Sequence, residues 1–195
     1  MKNLPSLDRI GFAVMGCSAG GVETLSELLP ALPKNFPIPL VIAIHLLSNS
    51  KSILADLYGP RCNIPVSEVE DKEPMLPGRI YFAPAGYHLL IERDHSFSLS
   101  VEEPVNYSRP SIDVLFESAA IAGGTQTLGI LLTGSNHDGA AGLKAIHDRG
   151  GATIAQSPGT AAFSVMPQSA LDLFQPNAVL SPQEIRAYLT GERNG

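Results

Sequence analysis

A serine framed by glycines, Gly16-Cys17-Ser18-Ala19-Gly20, closes the apolar run Phe12–Met15. A serine hydroxyl is a weak nucleophile until an imidazole takes its proton, and the imidazole needs a carboxylate to fix its tautomer and steady its charged form. His45, at the end of the apolar segment Leu40–Ile44, and Asp138, in the polar turn after Thr127–Leu132, supply those two types. Each of the three follows an apolar run of strand length, so a sheet can gather them although they lie far apart in the chain. A hydroxyl above a strand end and beside a helix N-terminus also meets backbone N–H groups that suit an oxyanion. Gly16, Gly20 and Gly21 permit a sharp turn there and a close approach of substrate to the backbone.

The same residues have plainer roles. Ser18 can be a helix cap, His45 a satisfied structural histidine, and Asp138 the start of the following helix. His88, His95, His137 and His147 compete as bases, and Cys17 is either a rival nucleophile or a small buried hydrophobe. The string around Ser18 fits the G-x-S-x-G nucleophile elbow, yet an α/β-hydrolase orders its triad Ser, Asp, His and takes an oxyanion donor from an upstream loop. Here the order is Ser, His, Asp, and only fifteen residues precede Gly16.

The elements that must position these groups follow from periodicity. Phe12–Met15 suits a buried strand, and Val22, Leu25, Leu28, Leu29 and Leu32 then recur at helical spacing until the prolines of Pro30–Pro39. Leu40–Ile44 predicts a strand, Ser50–Tyr58 a helix closed by Gly59-Pro60, and Pro65–Val69 and Arg79–Phe82 two more strands. His88–Arg93 and Phe97–Glu102 flank Asp94-His95-Ser96 as a hairpin. Ser111 is placed to cap a helix over Ile112–Ile121, with Asp113 in its first turn. Thr127–Leu132 is a strand that leads through Thr133–Gly139 into a helix over Ala140–Asp148, closed by Gly150-Gly151. Ala152–Ala155 reads as a strand and Pro167–Phe174 as a short helix. Ser181-Pro182-Gln183-Glu184 is a capping box that opens the last helix. The expected fold class is α/β: a doubly wound, mostly parallel sheet with helices on both faces and an appended antiparallel hairpin. Sites in such sheets lie outside the carboxyl ends of the strands, where Ser18, His45 and Asp138 all fall.

Composition narrows the class. The 195 residues, 44% of them hydrophobic, suffice for one core, expected as a lead over 1–9, a catalytic domain over 10–191 and a frayed end over 192–195. The net charge is −6 and the 13 Lys and Arg residues are scattered, which argues against a nucleic-acid or anionic-membrane partner. Cys17 and Cys62 form neither a C-x-x-C pair nor a disulfide framework, so the expectation is a cytoplasmic chain with no metal. Met1–Ile10 lacks a signal-peptide pattern, and no apolar run reaches the length of a membrane span.

Six segments in order resemble the catalytic domain of the bacterial chemotaxis protein-glutamate methylesterases, from about Ile10 to Leu189. They are Gly16–Gly21; His45 ending its strand; Leu76–Pro84 with His88; Pro104–Asn106 with Arg109–Phe116; Leu131–Gly134 with Asp138–Gly142; and Thr153–Gln156 through Met166-Pro167. The resemblance implies a triad of Ser18, His45 and Asp138 that hydrolyses γ-glutamyl methyl esters on the cytoplasmic helices of methyl-accepting chemoreceptors. Methanol would be released, with deamidation of receptor glutamines as a further activity and no cofactor. The oxyanion would lie near the backbone N–H groups of Ala19, Ser135 and Asn136. Three departures stand out: Ile44 before and Leu46-Leu47 after His45, Ala19 where threonine is frequent, and Gly134-Ser135-Asn136-His137 where the family commonly has Gly-Met-Gly. Loss of a glycine at Asn136 matters if that position needs φ > 0. Met1–Arg9 cannot supply the receiver domain most members carry, which implies a free-standing esterase regulated by other means, such as a separate regulatory protein, a catalytic fragment of a longer chain, or a partner-bound module in a different signalling pathway. Arg79 and Arg109 are candidates for engaging acidic receptor helices. The rival reading is a catalytically silent receptor- or regulator-binding module of the same fold. A nucleotide-binding turn would need G-x-G-x-x-G or G-x-x-x-x-G-K-[ST], which Gly16–Gly21 lacks.

Overall fold

The apolar runs become strands buried on both faces. A computed structural model of the chain describes residues 4–45 and 53–192. In chain order the elements are β1 (Phe12–Cys17), α1 (Gly21–Leu28), β2 (Leu40–Ile44), α2 (Leu54–Tyr58), β3 (Val66–Glu68), β4 (Ile80–Phe82), β5 (His88–Ile91), β6 (Phe97–Ser100), α3 (Ile112–Gly123), β7 (Thr127–Leu131), α4 (Ala140–Asp148), β8 (Ala152–Gln156), α5 (Val165–Leu173), β9 (Ala178–Leu180) and α6 (Pro182–Thr190). Seven strands form a parallel sheet in the order β3-β4-β2-β1-β7-β8-β9, and β5 and β6 form a separate antiparallel hairpin. The chain builds one side of the sheet outward from β1 and then returns to lay β7 on the other side. The strand order therefore switches direction between β1 and β7, which opens a crevice above their carboxyl ends.

Alternation along the strands makes two cores. Ala13, Met15, Cys17, Leu40, Ile42, Ile44, Leu128 and Ile130 face one way, against Leu25 and Leu28 of α1 and Ile185 and Leu189 of α6. Phe12, Val14, Val41, Ala43 and Leu131 face the other, against Leu115 and Phe116 of α3, Leu143 and Ile146 of α4, and Met166 of α5. Each Val, Leu, Ile, Phe or Met among them contributes about 1.5–3 kcal/mol when fully buried. The hairpin adds Leu89 and Phe97 to the second core and is tied to α3 by the Ile91 N–H, which donates to Ser118 Oγ at 3.1 Å.

The structure adjusts several expectations. Among the described residues the helix expected over Ser50–Tyr58 begins at Leu54; residues 50–52 lie outside those described, as do Leu46-Leu47, Met1–Asn3 of the lead and 193–195 of the expected frayed end. Val22 is not on the buried face of α1 but exposed, because that face is set by Gly21, Leu25 and Leu28. Helix α5 starts at Val165, with Pro167 in the first turn, where its missing N–H has no intrahelical acceptor to lose. Strand β9 was not expected: three residues at a sheet edge leave too little pattern to read. Gly16 is not a turn residue either. It lies inside β1, and a Cβ there would run into Ile112 at the start of α3. The sharp turn falls on Gly20, at φ +77° immediately before α1. No described helix is long and apolar enough to cross a membrane.

Candidate active site

The turn after β1 and the turn after β7 are stitched together across the crevice. The Ser18 N–H donates to the Thr133 carbonyl at 2.9 Å, and Thr133 Oγ1 donates to the Ala19 carbonyl at 3.0 Å. Thr133 is held in turn by its own N–H, which donates to Gln156 Oε1 at the end of β8 (2.9 Å). The Gly134 N–H and carbonyl bond Phe163 and Met166, each at 3.0 Å, which fixes the start of the turn that carries Ser135 and Asn136. Three strand ends thus fix the backbone that carries Ser18.

His45 stands one residue beyond β2, its backbone N–H donating to the Cys17 carbonyl at 3.3 Å. Its Nε2 lies 2.7 Å from Asp138 Oδ2, and its Nδ1 lies 3.2 Å from Ser18 Oγ. An ionised carboxylate only accepts, so the ring proton sits on Nε2 and the lone pair on Nδ1 faces the serine. The two ring nitrogens exchange the roles they hold in the chymotrypsin arrangement, while the logic of nucleophile, base and orienting acid is unchanged. Ser108 Oγ also lies 3.4 Å from Nδ1, a second hydroxyl beside the base.

Asp138 is completely buried and takes five donors. Oδ2 accepts from His45 Nε2 and from the Ile112 N–H (2.7 Å); Oδ1 accepts from Ser111 Oγ (2.8 Å), Asn106 Nδ2 (2.9 Å) and the Asp113 N–H (3.2 Å). Burial pushes the carboxyl up, but the hydrogen bonds from His45, Asn106, Ile112 and Ser111 outweigh it and bring the pKa down to about 2. Two of those donors are the first N–H groups of α3, so this aspartate caps that helix and does not simply start α4. Asp113 returns the favour: its Oδ1 accepts from the Gly142 N–H in the first turn of α4 at 2.7 Å. Burial raises the Asp113 carboxyl to about 6, with the Asp138 charge adding to the rise and the Gly142 N–H opposing it.

Ser18, His45 and Asp138 are therefore brought into one chain of contacts, with Ala19 beside them. The N–H groups of Ala19, Ser135 and Asn136 have no acceptor among the described residues. Asn136 does not occupy the left-handed region, so the loss of glycine there costs the backbone nothing; its Oδ1 accepts from the Asp138 N–H at 3.2 Å. The competing histidines are engaged elsewhere or turned away. His88 is buried, accepting from the Ser111 N–H and donating to the Glu103 carbonyl; His147 packs on Phe174; His95 and His137 are exposed. Burial pushes the Cys17 thiol up to about 12, so it is an inert core group. Arg109 Nη1 donates to the Val101 and Glu102 carbonyls, and the Arg79 guanidinium lies 5.9 Å from the Tyr81 ring centroid. The sequence reading identified Ser111 as a helix cap, which it is, but not Asn106, Ser108 or Asp113 as neighbours of the triad. Asn106 and Asp113 fall in the segments Pro104–Asn106 and Arg109–Phe116, and Asp113 in the first turn of its helix, whereas Ser108 lies in neither segment.

Comparison with known proteins agrees along the whole region. The family model described as CheB methylesterase matches residues 13–189. A Leptospira interrogans protein carrying a provisional protein-glutamate methylesterase/protein-glutamine glutaminase name is 45% identical over 172 residues, 88% of this chain and 89% of that one. The protein-glutamate methylesterase/protein-glutamine glutaminase 1 of Carboxydothermus hydrogenoformans is 42% identical over 82% of this chain, which spans about half (48%) of that longer relative. The crystal structure of the Thermotoga maritima CheB methylesterase catalytic domain superposes with a TM-score of 0.88 at 31% identity, covering 93% of this chain and 98% of that domain. With the expected fold observed and three comparisons converging, the chain belongs to the CheB methylesterase family.

Proposed function

We propose that this chain is a protein-glutamate methylesterase that hydrolyses glutamyl γ-methyl esters on chemoreceptor cytoplasmic helices, with Ser18 as nucleophile, His45 as base and Asp138 as the carboxylate that orients it and stabilises its charged form. His45 Nδ1 takes the Ser18 proton as Oγ attacks the ester carbonyl, whose electron pair moves onto oxygen. The N–H of Ala19 and those of Ser135 and Asn136 are the candidate donors to that oxyanion. Collapse breaks the bond to methoxide, which leaves as methanol with the proton from Nδ1. Water then repeats the sequence on the acyl-enzyme: it gives its proton to Nδ1, adds to the carbonyl, and Ser18 departs with that proton. The γ-carboxylic acid that remains ionises, releasing its proton to solvent. On a receptor glutamine the same steps release ammonia, the second activity in the relatives' names. Asp138 stays ionised through the cycle because its donors hold its pKa at about 2, so it stabilises the imidazolium formed in both halves.

The observation that carries this reading is the continuous Ser18 Oγ, His45 Nδ1, Nε2, Asp138 Oδ2 chain. Nothing supports the silent module. The test is methanol release from methylated receptor cytoplasmic fragments. Wild type should release it, and Ser18→Ala should lose about a million-fold in turnover. No release by folded wild-type protein that still binds the fragment would reject the reading.

A further inference from the structure

We propose that Asn106 is a positioning residue for this reaction: by bridging Asp138 to the buried carboxyl of Asp113, it keeps the Asp138 carboxylate aimed at His45. The inference rests on the triad assigned above and adds a residue to it.

Asn106 reaches the site from a two-residue turn. Val105 and Ser108 exchange both backbone hydrogen bonds (3.2 and 2.9 Å), and the central residues Asn106 and Tyr107 lie in the left-handed region at φ +50° and +62°. Asparagine tolerates that region better than most residues. The turn points Asn106 inward and leaves Tyr107 fully exposed. Both groups facing the amide are carboxyls, so it presents its nitrogen, and its two hydrogens serve two different partners: Asp138 Oδ1 at 2.9 Å and Asp113 Oδ2 at 2.8 Å. No other side chain among the described residues joins that pair.

Without the amide, Asp138 Oδ1 would face Asp113 Oδ2 with no donor between them. Two carboxyls that have lost their shared donor relieve their repulsion by turning one of them or by taking up a proton. Either response weakens the bond that Oδ2, on the other side of the same carboxylate, makes with His45 Nε2. That bond gains most when the imidazole becomes charged, in the transition state. Asn106 makes no hydrogen bond to Ser18 or His45, so its loss falls on kcat and leaves KM unchanged.

Asn106→Gly separates this role from turn formation, because glycine enters the left-handed region more readily than asparagine and only the amide is lost. The expected result is a protein that still folds, with a lowered unfolding temperature because two buried carboxyls lose a donor, and a kcat for ester hydrolysis reduced about ten- to a hundredfold, the scale on which outer partners of site ligands act, with KM as in wild type. The proton resonance of His45 Nε2, assigned by its loss in His45→Ala, should move. Asn106→Asp keeps the shape but adds a third acceptor, and should lose at least as much. Wild-type turnover and an unmoved resonance in Asn106→Gly would overturn the proposal. If wild type itself hydrolyses no ester, the functional reading fails, and the resonance alone decides the role of Asn106.

Discussion

The same burial acts on Asp138 and Asp113, and the number of donors each collects decides the outcome. Asp138 accepts five and titrates at about 2, whereas Asp113 accepts two and titrates at about 6. An unfolded aspartate titrates near 3.9. Asp138 therefore contributes stability that is present above about pH 4 and is lost as pH falls towards 2. Asp113 has the opposite sign: its folded form holds the proton more tightly, so stability is lost as pH rises from about 4 to about 6 and stays lost above. The variant Asp113→Asn cannot ionise. Its unfolding free energy relative to wild type should improve between pH 4 and 7 by up to about 3 kcal/mol, read from melting at each pH. A difference that stays constant over this range would show that Asp113 is not raised. This pair was not legible in the sequence, where Asp113 and Asp138 are separate acids at the starts of separate helices; only their packing makes them neighbours.

At the level of elements, the Asp138 carboxylate belongs to a mutual arrangement of α3 and α4. Asp138 accepts from the first two N–H groups of α3 and Asp113 from the Gly142 N–H in the first turn of α4, which requires the two backbones to approach closely. Gly142 is the point of approach: a Cβ there would stand 2.6 Å from Phe116 Cβ and 3.0 Å from the Asp113 carbonyl oxygen. Gly142→Ala should cost about 1–3 kcal/mol by overpacking and should also lower kcat, since parting the helices draws the Asp113 side of the network away from Asp138. Calorimetry alongside steady-state kinetics checks both; a destabilised variant with wild-type kcat would disconnect the helix contact from the site. The glycine is visible in the sequence, but its purpose is not, because a helical glycine shows no period and names no neighbour.

For the whole molecule, the alternation of apolar runs with helical patterns was enough to anticipate a parallel sheet and to put three catalytic types at strand ends. Each of Ser18 and His45 directly follows its strand, and Asp138 follows β7 by a short turn, so distance along the chain did not hide them. What escaped was what depends on edges and contacts, namely β9, the exposure of Val22, and the Asn106 amide. The switch in strand order between β1 and β7 also divides the chemistry. Everything before the exposed stretch 101–105 carries Ser18 and His45, and everything after it carries Asp138 and both helices that hold it. The two segments meet along the β1–β7 seam and through the Ser18–Thr133 contact. Separately expressed pieces divided between Glu102 and Glu103 should each be inert and should regain methanol release on mixing, as a split enzyme whose activity reports their association; exposed loops of this kind are where chains tolerate a break.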